Sequence, residues 1–348
     1  MLRVRRLLYA LPFLGLLLVA GLWVVSRSGE VSASPAPVIR ACIATQGPDV
    51  KQNPETVDCL ARALVDAVRT GQYAEVLALR PELEGTTANA SCHAAGHAAG
   101  IELVGMYGME GTIDRLFTGP EESVEYTCTA ALVHGLVAGS TSGEPPFDFE
   151  GVAGQCLRLE ETNFSYANEC AHFFGHAVWR SVGALSADIA EVCSFLDSND
   201  EPNPKRTCIG GAIMQKFDLQ TKHYDPTNTE AQNKLPPKLS ELTGLCDVFD
   251  GQDVETTEGC MGAVGWLAAV STNDKLDYDK SGPEWDAKAL PVYLEAVAVC
   301  DGDAECHRNF INHLRVNAYS GPVARELCVQ AKIEMATCER TIDRYVEG

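Results

Sequence analysis

The sequence predicts an all-α fold: stacked helical hairpins forming a solenoid or toroid-like repeat, stapled by disulfides and carried on an N-terminal transmembrane anchor. Three observations lead there. Apolar residues recur at three- and four-residue spacing, as in Val57, Leu60, Leu64, Val65 and Val68, and alternating β-branched runs are scarce. Fourteen cysteines fall into couples at short, regular separations. The cysteines that open apolar helices (Cys92, Cys128, Cys170, Cys208, Cys260, Cys306 and Cys338) follow one another at intervals near 40 residues, the period expected of stacked helix pairs.

From the N-terminus, residues 1–6 carry Arg3, Arg5 and Arg6 and read as a basic cytoplasmic stub. Residues 7–25 are uncharged and, at 19 residues, about long enough to cross a hydrocarbon core. The small residues Val31, Ser32 and Ala33 stand too far beyond that run for signal cleavage, so an uncleaved anchor is expected. Residues 26–40, rich in Ser, Ala and Pro, form a flexible linker. Residues 41–348 are then a disulfide-rich helical repeat domain facing the periplasm or the extracellular side.

Outside the cytoplasm thiols are oxidised, which makes the cysteines structural. The simplest connectivity is sequential: Cys42–Cys59, Cys92–Cys128, Cys156–Cys170, Cys193–Cys208, Cys246–Cys260, Cys300–Cys306 and Cys328–Cys338. Most couples flank a polar stretch between two apolar helical patterns, so each reads as a staple across a helix-loop-helix corner. Glycines follow the helix-opening cysteines, among them Gly96, Gly100, Gly135, Gly175, Gly211, Gly262 and Gly265. Each costs about 1 kcal/mol of helix propensity relative to Ala. Close helix crossing or a bound group must offset that. The polar stretch from His223 to Pro237 matches an enlarged interval between Cys208 and Cys260 and is expected to be a surface loop.

Five of the eight histidines lie in these helix openings: His93, His97, His134, His172 and His176. Histidines at i and i+4 share one helix face, as His93 with His97 and His172 with His176 do. Counting about six residues from each helix-opening cysteine places His97, His134 and His176 at matching positions, followed by Met214 in the next repeat. If neighbouring helices turn this face inward, the three imidazoles converge as a zinc or copper ligand set, with the Met214 thioether as a soft addition. His93 and His172, one turn earlier, are expected to support that set or to bind non-covalent haem between apolar walls at Phe173 and Phe174. Glu102, Asp114, Glu125 and Glu169 are candidate carboxylates to orient imidazole. His307 and His313, six apart on one helix, point to different faces and do not share an ion.

Composition removes other classes. A net charge of −21 opposes nucleic acid and anionic lipid. The His-x-x-Gly-His segments lack the general-base glutamate of zinc hydrolases, and Cys-x-x-Cys-His, phosphate-loop, dinucleotide and Gly-x-Ser-x-Gly signatures are missing from the sequence. A metal-dependent activity is the one enzymatic class these residues leave open. Two functional readings follow. One is a membrane-anchored scaffold, attached through residues 7–25, that binds a protein or peptide. The alternative is a protein that binds a transition metal or haem through the helix-start histidines.

Overall fold

The computed structural model of the chain describes residues 34–47, 53–84, 89–117, 127–142, 146–160, 164–198, 203–217, 238–272, 275–276, 282–314, 321–336 and 338–339. The expected stub, the anchor and residues 26–33 of the linker lie outside these residues, as do Glu125 and the stretch from His223 to Pro237; the end of the linker is not flexible coil but the start of helix α1 (Ala36–Ala44), with Ile39 buried. Among the described residues no strand occurs, and no helix is long and apolar enough to cross a membrane.

Helix starts follow local chemistry. In α2 (Pro54–Thr70) the Asn53 side chain accepts a hydrogen bond from the Glu55 N–H, and Pro54 at the first helical position has no N–H needing a partner. Gly71 ends that helix in the left-handed region, at φ 73°. Asp253 and Asp303 cap α12 (Val254–Ser271) and α14 (Ala304–His313) by accepting from the N–H groups of Thr256 and Cys306. The other main helices are α5 (Asn89–Leu116), α6 (Thr127–Ser140), α7 (Phe149–Glu160), α8 (Phe164–Val182), α9 (Ala187–Cys193), α10 (Pro204–Phe217) and α13 (Pro283–Val297). Helix α5 breaks at Gly108, φ 69°, where the Thr112 hydroxyl bonds the Gly108 carbonyl and bridges the kink.

Packing follows chain order. Helices α2, α5, α6, α8, α10, α12 and α14 each lie against the next, while α7 and α9 back onto α8 and α13 onto α12. Disulfides tie the backing elements to this row: Cys156 of α7 to Cys170 of α8, Cys193 of α9 to Cys208 of α10, and Cys246 to Cys260 of α12. Cys42–Cys59, Cys300–Cys306 and Cys328–Cys338 also form, so six of the seven sequential pairs are present. Cys92 is disulfide-bonded too. The Cys128 side chain lies outside the described ones.

Glycine sets the helix crossings. At α5 against α6, Gly100 sits over the Leu132 carbonyl and Gly135 over the His97 carbonyl. The same exchange recurs at α8 against α10, with Gly175 over the Cys208 carbonyl and Gly211 over the His172 carbonyl. At α12 against α14, Gly265 meets the Cys306 carbonyl. A Cβ at these positions would stand well inside van der Waals contact with backbone atoms, so the lost helix propensity is exchanged for close backbone approach.

Candidate metal centre

The crossings that bring backbones together also bring imidazoles together. His97 and His172 each precede their crossing glycine by three residues and lend the carbonyl that the partner helix's glycine covers. Their backbones are thereby fixed at the seams of the row. One helical turn away stand His93 on α5 and His176 on α8, and α6, packed between these two helices, contributes His134.

Five histidines thus form one contiguous group around Phe173. The His134 ring stacks on Phe173 at 3.7 Å and 15°, and the His176 ring stacks on it at 4.7 Å and 24°. On the His134 side, His93, His97 and His134 offer nitrogens that all lie within 4.8 Å of one another. The closest approach is 3.3 Å, from His134 Nδ1 to His97 Nε2. With metal–nitrogen bonds of about 2.05 Å, that separation subtends about 107° at a shared ion, near the tetrahedral angle. His93, half-buried, closes the third side.

Carboxylate and amide partners decide which nitrogens are lone pairs. Glu169 Oε2 lies 2.7 Å from His134 Nε2, and a carboxylate only accepts, so His134 donates from Nε2 and turns its Nδ1 lone pair toward His97. This carboxylate–histidine arrangement orients a ligating imidazole at many metal sites. On the far side of Phe173, His176 donates from Nδ1 to Gln215 Oε1 at 2.6 Å and points Nε2 at His172 Nε2, 3.0 Å away.

Three of the five are held neutral. His97, His134 and His176 are 5%, 4% and 2% exposed, and burial holds all three well below the ordinary imidazole value. The neighbouring imidazoles push the same way. The contact of His134 with Glu169 is accordingly a hydrogen bond from a neutral ring, and neutral imidazole is the form that binds metals.

This grouping differs from the one expected by counting from cysteines. That count joins His97, His134 and His176 with Met214 beside them. In the structure His93 completes the close triangle, and Phe173 lies between His134 and His176. Gln215 is the residue α10 sends to His176. Met214, its chain neighbour, stands about 100° around the helix axis from it. Of the candidate carboxylates, Glu169 reaches the cluster, Asp114 pairs with Arg158 at 3.3 Å, and Glu102 is exposed. Gln215 escaped the sequence reading, although its place seven residues after Cys208 puts it one turn beyond the crossing glycine Gly211. His307 is buried on α14, and His313 lies against Trp266, far along the row from the five.

Compared with protein-family models, with curated proteins and with solved structures, the chain matches none.

Proposed function

We propose that this protein binds a first-row transition ion of the zinc or copper class through His93, His97 and His134, on a disulfide-stapled helical scaffold anchored outside the cytoplasm. The observation that carries the reading is the convergence of three imidazole nitrogens within 4.8 Å, one of them oriented by a carboxylate. Disulfides in all the described cysteines remove thiolate competitors, so imidazole is the ligand chemistry the cluster offers. Three protein ligands leave a fourth position for water or a small ligand. Haem fits less well, because the imidazoles touch one another and Phe173 with ring centroids 3.7–6.4 Å apart, which leaves no slot for a macrocycle between them.

The extracytoplasmic setting draws support from the disulfides and from the apolar run at residues 7–25. The scaffold reading becomes the setting of the site: a rigid row of helices, open to a protein or peptide partner elsewhere on its surface. The test uses the full chain, made in an oxidising compartment, held in mild detergent and stripped with chelator. Equilibrium dialysis against zinc(II) or copper(II), read by elemental analysis, is expected to leave a tightly held ion that is lost in His97→Gln. An intact, disulfide-bonded protein that retains neither metal overturns the proposal.

A further inference from the structure

We infer that His172 and His176 hold a second transition ion beside the first, with Glu169 as the carboxylate between the two positions. The inference rests on the metal-binding reading above and extends it to a two-ion centre.

Five observations lead to it. The Nε2 atoms of His172 and His176 face each other at 3.0 Å, which with bonds of about 2.05 Å gives an angle of about 94° at an ion, a normal cis angle for imidazole ligands. Gln215 holds the Nδ1 hydrogen of His176, so the ring presents its Nε2 lone pair to that gap. Glu169 stands three residues before His172, the Glu-x-x-His spacing that puts a carboxylate and an imidazole on one helix face. Its Oε2 serves His134, and its Oε1 carries no hydrogen bond among the described residues. The His134 and His172 rings are 6.4 Å apart, so the two positions are neighbours.

The fold itself does not require these histidines. At the corresponding crossing of α12 on α14, reached by matching Gly175 to Gly265 and Cys208 to Cys306, the places of His172 and His176 are taken by Gly262 and Trp266. The place of Gln215 is taken by His313, which packs on Trp266 at 6.2 Å between centroids. One crossing geometry thus accepts an aromatic pair at one end of the row and a facing imidazole pair with an amide anchor at the other. The imidazole pair therefore answers a need other than packing. The close triangle of three ligand atoms is the His93, His97 and His134 one. The second position has one imidazole, His176, whose lone pair already faces the gap and another, His172, whose hydrogen leaves Nε2 when an ion binds and the carboxylate oxygen is drawn in.

Zinc(II) stoichiometry on the chelator-stripped full chain tests this, read by equilibrium dialysis with elemental analysis, fold intactness being checked by circular dichroism. The wild-type chain is expected to hold two ions. His172→Gln with His176→Gln is expected to keep one, and His93→Gln with His97→Gln is expected to keep the other. A wild-type value of one ion overturns the second site whatever the variants do, and needs no variant to fold. If that single ion persists without His172 and His176 and vanishes without His93 and His97, the three-histidine site stands alone. A wild-type value of zero overturns the metal-binding reading together with this one.

Discussion

At the residue scale, Glu169 sets which nitrogen of His134 faces the proposed ion. Replacing it with Ala removes the acceptor that fixes the tautomer, and the loss of such an orienting partner lowers metal affinity by about 10–100-fold. Glu169→Gln keeps an amide oxygen able to accept from Nε2–H and is expected to lose less. Competition titration against a chelator of known affinity separates the two. The five histidines were legible in the sequence because imidazole is unusual inside small-residue helices. Which of them meet was not. Counting from cysteines assumes that every disulfide sits at one helical register, whereas the crossings are registered by glycine: His97 matches His172 through Gly100 and Gly175, and His176 falls one turn further along.

At the element scale, the corners were readable because a polar stretch between two apolar helices brings cysteines 14 or 15 residues apart back together. The crossings were only half readable. Glycine marked them, but pairing Gly100 with Gly135 and Gly175 with Gly211 needs the third dimension. The two kinds of helical glycine are expected to respond oppositely to Ala. At Gly211 the new methyl meets the His172 carbonyl, which cannot yield without moving the helix, so Gly211→Ala is expected to cost about 3 kcal/mol or more and to weaken zinc binding by displacing His172. At Gly154 on α7 a Cβ meets nothing within 4 Å, so Gly154→Ala is expected to stabilise by about 0.5–1 kcal/mol. Urea unfolding curves of both variants against wild type provide the comparison. A destabilised Gly154→Ala alongside an unaffected Gly211→Ala would contradict the crossing geometry.

At the scale of the whole molecule, a row of helices gathers five imidazoles, three of them buried, inside a protein whose net charge of −21 draws cations toward it. Burial then makes the metal-free protein sensitive to acid. His97, His134 and His176 have folded-state values well below the ordinary 6.5, so as pH falls through 6.5 the unfolded chain takes up protons that the folded chain refuses. Their contribution to stability is full above about pH 6.5 and is lost progressively below it, toward the depressed folded values. The melting temperature of chelator-stripped protein is expected to drop by several degrees between pH 7.5 and pH 5, and His176→Gln is expected to flatten that dependence. A melting temperature that rises on acidification would contradict neutral burial. The all-helical class and the staples could be read from the chain alone, because period and cysteine spacing are local properties. The ordering of the helices into one row, which lets α6 slot its histidine between those of α5 and α8, is a long-range property that no window of sequence contains.

X-ray absorption at the zinc edge of the loaded full chain addresses the convergence of imidazoles most directly. A shell of nitrogen and oxygen at about 2.0 Å with the outer-shell scattering of several imidazoles is expected, and less bound zinc in His97→Gln. A shell containing sulfur at about 2.3 Å, or one of oxygen alone without imidazole scattering, would contradict it.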